Sequence, residues 1–257
     1  MLDRSAYISM TGAKQSMLQL ATTTNNLANA MTPGFREMLA SFRSVPIDGQ
    51  GSSTRAFVVD TTPGANYTQG PIQTTGNPLD VAIKNRDGFF AVRRPDGSTA
   101  YTKNGRFTID NNGVLKLGSN VVLGQDDVIT IPETIKQITI GDDGSISAQM
   151  INQTEMDEAV PSTPFDDIDQ LRLVTIDPKN LVRGGDGLFE VPGLVQPEQD
   201  LGIRVAQGSI ELSNVNSTTA MVQMIEQNRM FDLNMRFIQS ADQNAKSANA
   251  LMSLSRG

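Results

Sequence analysis

The chain contains no cysteine, no histidine and no tryptophan, and only 5% of its 257 residues are aromatic. Without Cys and His there is no thiol nucleophile, no zinc site built on thiolate or imidazole, and no triad that needs an imidazole base. Long apolar runs are also missing, so a membrane-spanning helix is not expected. The N-terminus lacks the cationic stretch and following apolar stretch of a secretory signal, so export is expected to take another route. A net charge of -7 and a pI near 4.7 argue against nucleic acid as a partner, because phosphate binding needs a basic surface. Eleven acidic residues against one basic residue between Asp126 and Asp169 concentrate the negative charge in one stretch, which reads as the solvated face of a β-domain. Gly184-Gly185-Asp186-Gly187 is not followed by a lysine and a hydroxyl and reads as a turn, not a phosphate cradle. No cofactor, metal or small-molecule substrate is expected.

What the chain does have is two ends alike in kind and unlike the middle. Ala6, Met10, Ala13, Met17, Leu20, Thr24 and Leu27 recur at alternating spacings of 4 and 3, a heptad seam on an N-terminal helix. Near the other end Met224, Phe231, Ile238, Ala245 and Met252 fall seven residues apart, flanked by Met221 and Met235. Both seams are thin, since Met, Ala and Thr bury less apolar area than Leu and Ile, and neither tail is expected to be stable alone in water. Either the tails pack on each other within one monomer or they order against neighbouring subunits.

The first helix has a stop at Asn29 and Thr32-Pro33-Gly34, where a donor is removed and a positive φ is admitted, so that the chain bends outward toward a β-domain lying beyond Gly34. Residues 35–42 fit a short resumed helix ending at Val45-Pro46, and residues 48–54 fit a linker. In the middle, Pro95-Asp96-Gly97, Asn104-Gly105 and Asn112-Gly113 space turns evenly, with Phe107, Ile109, Leu115 and Leu117 alternating between polar neighbours, so a β-meander is expected. Ile129 and Ile131, Ile138 and Ile140, Ile146, and the stretches 171–176 and 188–191 continue the strand pattern, while 153–167 reads as a loop or edge excursion. Residues 208–216 read as a strand turning into a helix capped by Asn216 or Ser217. The fold class is therefore α+β, with a helical segment over 1–42, a linker and β-rich domain over 43–211, and a second helical segment over 212–257 that pairs with the first in a coiled-coil-like domain.

Asn25-Asn26-Leu27-Ala28-Asn29 followed by Thr32-Pro33-Gly34-Phe35-Arg36 resembles the N-terminal signature of the rod and hook family of bacterial flagellar axial proteins. Asp87-Gly88-Phe89-Phe90 with Tyr101-Thr102-Lys103-Asn104-Gly105 is similar to the family's central β-domain, and Gln207-Gly208 through Ser213-Asn214-Val215-Asn216, then Met221-Val222 and Arg229-Met230-Phe231, to its C-terminal signature. The length, with Arg43-Ser44-Val45-Pro46-Ile47-Asp48-Gly49 and Asp60-Thr61-Thr62-Pro63-Gly64-Ala65, resembles the proximal rod members; the insertion expected of a distal rod member after Phe35 is missing. Ser217-Thr218-Thr219 departs from the acidic first turn usual in the family. The resemblance implies no catalysis. It implies a structural subunit of the periplasmic rod of the basal body, exported by the flagellar type III apparatus, whose partners are copies of itself and neighbouring rod proteins. Its expected assembly interface comprises Met10, Met17, Leu20, Asn25, Asn26, Leu27, Asn29, Pro33, Gly34, Phe35, Met221, Met224, Phe231, Met235, Ile238 and Met252.

Three other readings compete, the first within the same class. A distal rod subunit differs only in position along the axle. A peptidoglycan-cleaving enzyme using paired carboxylates needs neither His nor Cys and would draw on Asp142, Asp143 or Glu155, although turn formation already explains Asp142-Asp143-Gly144. A surface fibre with coiled-coil ends would need longer and less polar heptads.

Overall fold

A computed structural model describes residues 2–46, 56–132, 135–150, 165–193 and 197–254. The chain is α+β, with a helix at each end and a β-rich centre. It divides into a helical unit, Met1–Ala30, Glu37–Asn66 and Val215–Gly257, and a β unit, Met31–Arg36 and Tyr67–Asn214. These bounds differ from those read in the sequence, because residues 37–66 go with the helices and residues 31–36 with the β unit.

The helical unit consists of α1 (Leu2–Ala28), a hairpin of β1 (Met38–Pro46) and β2 (Ala56–Ala65), and α2 (Ser217–Leu254). The short helix expected over 35–42 is a strand: Leu39 pairs with Gly64 and Phe42 with Asp60. Tertiary contacts override the local helical pattern. The Asn26 side chain donates to the Met38 carbonyl (2.9 Å) and accepts from the Met38 N–H (2.8 Å), holding that backbone extended as a neighbouring strand would. Asn66 closes the base of the hairpin on Glu37, N–H to carbonyl at 2.8 Å and Nδ2 to carboxylate at 3.0 Å. The expected linker at 48–54 lies outside the described residues.

α2 is capped by Asn216, whose Oδ1 accepts from the Thr219 N–H at 3.0 Å. This cap compensates for a first turn without acidic residues. α1 and α2 pack on each other. Gly12 lies against the Asn234 side chain, about as far from the end of α1 as Asn234 is from the start of α2.

The facing rows are small and polar. On α1 they are Ala13, Ser16, Thr23 and Asn26, with Leu20 and Leu27 half-buried; on α2 they are Ala220 and the half-buried Met224, Gln227, Phe231, Asn234, Ile238, Ala241 and Ala245. Burial of Ser16 is possible because its hydroxyl donates back to the Gly12 carbonyl at 3.0 Å. Of the seam read on α2, Met224, Phe231, Ile238 and Ala245 lie on this face, while the flanking Met221 and Met235 are exposed. On α1 only Ala13, Leu20 and Leu27 of the seam's described side chains do, since Met10, Met17 and Thr24 point outward and smaller residues take the inside.

The β unit carries the large core. Its main sheet has eight strands in the order Val182–Arg183, Phe189–Glu190, Thr99–Thr102, Gly88–Arg93, Asn120–Val122, Leu115–Leu117 and Thr108–Ile109, with Leu173–Thr175 also pairing to Gly88–Arg93. A second, three-stranded sheet consists of Ile135–Ile140, Ser145–Met150 and Phe165–Gln170; of the stretch read as a loop or edge excursion, residues 165–167 begin its edge strand and 153–164 lie outside the described residues. Phe90, Phe107, Leu115, Ile129, Ile146, Leu171 and Ile203 are all at most 2% exposed, and Phe90 meets Phe107 edge to face at 5.2 Å. Each such side chain contributes about 1.5–3 kcal/mol on burial, so this unit holds itself together while the helix pair has little comparable support.

Two of the three expected turns close hairpins, with Gly97 at φ +86° and Gly113 at φ +78°. Asn104-Gly105 does not: the strand Thr99–Thr102 pairs with its predecessor and with Phe189–Glu190, never with Thr108–Ile109. Gly105 is required for space, because a Cβ there would lie 1.8 Å from the Val81 carbonyl oxygen. The order is therefore not a simple meander.

Candidate functional site

Residues from the two terminal signatures meet in a clasp within the β unit. Gly34 has φ +69° and its N–H donates to the Glu211 carbonyl at 2.8 Å. A side chain there would sit 2.4 Å from the Asn104 backbone nitrogen, so glycine is demanded by conformation and by space. Two residues on, Arg36 Nη1 donates to Glu211 Oε1 at 2.5 Å, with both side chains buried. The same oxygen accepts from the Gly70 N–H at 2.8 Å. Between them Phe35 is covered by the Arg183 guanidinium, 4.2 Å from the ring centre, and Arg183 Nη1 donates to the Arg36 carbonyl at 2.8 Å. Burial pushes the Arg183 pKa down. Asn214 finishes the clasp, its Nδ2 donating to the Thr68 carbonyl at 2.9 Å.

Lys103, from the central motif, is buried beside this cluster. Its ammonium donates to the carbonyls of Asn85 (3.1 Å) and Arg86 (2.7 Å) and lies 5.0 Å from the Phe89 ring centre. Desolvation nevertheless pushes its pKa down to about 8.

These placements divide the expected interface. Asn26, Gly34 and Phe35 are buried inside the chain's own units, where they shape the subunit instead of lining its surface. Asn29 is tied to Asn25, whose carbonyl accepts from both its backbone and its side-chain nitrogen, and Pro33 is half-buried. Leu20, Leu27, Met224, Phe231 and Ile238 lie between the helices. Met10, Met17, Met221 and Met235 are exposed. The Met252 side chain lies outside the described residues.

Sequence reasoning missed a second apolar stripe. Val222, Ile225, Met230, Leu233 and Phe237 run along α2 away from the α1-facing row and are all exposed, Phe237 by 65%. Tyr7, Ile8, Met10 and Met17 add exposed apolar surface on α1, Met17 at 64%. The signal was present in Val222, Ile225, Leu233 and Phe237, whose spacings of 3, 8 and 4 keep to one helical face, but the heptad through Met224 masked it. A helix apolar on two sides has an inside and a second face still to be covered.

Among the described residues no group of Asp and Glu has the arrangement to hold a metal ion, and no helix is long and apolar enough to cross a membrane. An α+β chain whose ends form one helical unit with an uncovered apolar outside has the organisation of an assembly subunit. Three family models match it: "Flagella basal body rod protein" over residues 7–36, "Flagellar hook protein FlgE/F/G D1 domain" over 82–148, and "Flagellar basal body rod FlgEFG protein C-terminal" over 206–251. The flagellar basal-body rod protein FlgF of Escherichia coli is 39% identical over 99% of this chain and 100% of its own length, and FlgF of Salmonella typhimurium is 38% identical over the same shares. FlgG of Buchnera aphidicola subsp. Schizaphis graminum is 30% identical over 93% of this chain and 96% of its own length. The chain belongs to the family of flagellar basal-body rod proteins, with greater similarity to these two FlgF proteins than to that FlgG.

Proposed function

We propose that the chain is a structural subunit of the proximal rod, assembling through its terminal helices with copies of itself and neighbouring rod proteins into the periplasmic drive shaft that transmits torque. The observation that carries this reading is the outward apolar stripe of α2, from Val222 to Phe237, on a helix whose other side already packs on α1. An arrangement of many such helix pairs, coiled-coil-like within and between subunits, would cover that stripe, while the self-sufficient β unit needs no partner to fold. Export through the type III apparatus suits a helix pair that is weak alone and therefore easily unfolded.

A distal position is supported less, since the similarity to FlgF exceeds that to FlgG. The carboxylate-enzyme reading fits poorly. Asp143 accepts from the Ser145 N–H and hydroxyl within its turn, which hold its carboxyl below the usual range, the opposite of what a general acid needs. Asp142 faces Lys84 at 3.2 Å, and Glu155 lies outside the described residues.

The test is Leu233→Glu, on the outward stripe and clear of the α1 contact. Basal bodies purified from cells expressing this variant should lack it, with the free subunit's circular dichroism unchanged. Normal recovery in basal bodies would refute the assignment of this stripe to assembly.

A further inference from the structure

A chain without cysteine, histidine or tryptophan leaves methionine as its main target for two-electron oxidants, and it has 12 methionines. Their placement is uneven. None of those with described side chains is buried: Met10, Met17, Met31, Met221, Met230 and Met235 are exposed, and Met38, Met150 and Met224 are half-buried. The core of the β unit contains none. Five of the six exposed thioethers lie on α1 and α2, on or beside the apolar surface described above, and the sixth, Met31, is 89% exposed just before the Thr32–Gly34 turn.

We propose that the methionines of the helix pair are a reversible oxidation site that gates incorporation of the free subunit. The inference rests on the assembly role of the helices. The oxidant class is a peroxide: its O–O bond breaks, one oxygen forms an S=O bond with Sδ, the sulfur loses two electrons, and the other oxygen leaves as water after taking up the protons. Each event turns a flexible apolar side chain into a polar one. On an exposed surface this costs the free subunit little, but it places an oxide dipole where a neighbour would have to cover it. The β unit, with no methionine in its core, keeps its fold. Dithiol-dependent sulfoxide reductases return the sulfide, so the block is reversible until the subunit is covered in the rod.

The test has two arms. In the first, purified full-length chain is treated with dilute hydrogen peroxide and its sulfoxides are mapped by peptide mass spectrometry. Met10, Met17, Met31, Met221, Met230 and Met235 should oxidise about tenfold faster than Met38 and Met150, with no shift in the β-unit melting temperature. Oxidation without site preference, or loss of the β-unit transition, overturns the proposal. In the second, Met10, Met17, Met221, Met230 and Met235 are replaced together, either by Leu or by Gln, which stands in for the polar sulfoxide. The Leu variant should incorporate into basal bodies like the natural chain, and the Gln variant about tenfold less. Equal incorporation of the two overturns the oxidation gate. If the Gln variant assembles while Leu233→Glu does not, only the gate is wrong; if Leu233→Glu also assembles, the assembly reading itself fails.

Discussion

Replacing Glu211 by Gln should unfold the β unit at a markedly lower temperature, although no shape changes. Glu211 is fully buried and its Oε1 holds both Arg36, at 2.5 Å, and the Gly70 N–H, at 2.8 Å. The neutral amide leaves the Arg36 guanidinium, 1% exposed, without a counter-charge. Breaking a buried pair in this way costs about 3–5 kcal/mol. For a unit of this size each kcal/mol lowers the melting temperature by about 2–4 °C, so a fall of about 10 °C is expected. The pair itself is not expected to add much net stability, because Arg36 Nε and Nη2 and Glu211 Oε2 make no hydrogen bond in the structure. Arg36→Met with Glu211→Leu should therefore return to within about 1–2 kcal/mol of the natural chain. Near-ultraviolet circular dichroism of Tyr67 and Tyr101, both in the β unit, follows the transition. A loss below about 1 kcal/mol in Glu211→Gln would mean the pair behaves like a solvated surface bridge and would refute the reasoning. A double variant as unstable as the single one would refute the claim that the uncompensated charge, and not lost packing, sets the cost.

Gly34→Val should also lower the β-unit melting temperature, since a β-branched residue at φ +69° costs about 1–3 kcal/mol and its Cβ would meet the Asn104 backbone; an unchanged transition would show the turn to be permissive. Phe231→Asp, on the α1-facing row, should reduce helix content in the free chain and abolish rod incorporation while the β-unit transition stays put; far-ultraviolet circular dichroism and basal-body recovery check both. Lys103 makes stability rise with pH: its folded pKa, about 8, lies below the unfolded value near 10.5, so between these limits the unfolded chain binds more protons. Urea unfolding at pH 7.5 and 9.5 should show that rise, and Lys103→Met should flatten it; a parallel rise in both chains would assign it elsewhere.

The helical ends, the β-rich centre, the Gly34 turn and a cap at Asn216 or Ser217 were legible in the sequence because each depends on local spacing or local backbone geometry; the structure assigns the cap to Asn216. The strand at Met38–Pro46 was not. Met38-Leu39-Ala40 is locally helical, and what makes it a strand is the Asn26 side chain twelve residues away and a partner strand some twenty residues on. The orientation of α1 was misread for a related reason. Apolar periodicity marks a face without saying what covers it, and on α1 the face through Met10 and Met17 points outward while Ala13, Ser16 and Thr23 take the inside. The signature residues had the opposite fate: Asn26, Gly34 and Phe35 read as interface and are buried within the chain, Asn26 on the Met38 backbone, and Gly34 and Phe35 in the clasp whose Arg36 and Glu211 stand 175 residues apart, beyond any local reading.

The absence of cysteine allows a direct measurement of the central claim. A single cysteine at Phe237→Cys, on the outward stripe of α2, can form a disulfide only with another molecule. Basal bodies purified from cells carrying this variant together with an equivalent cysteine at Met17→Cys, each in its own copy of the chain, should be oxidised and run under non-reducing conditions. The account predicts intermolecular bands from the assembled rod and none from the dilute free subunit. Full incorporation of both variants with no intermolecular band in the rod would contradict it.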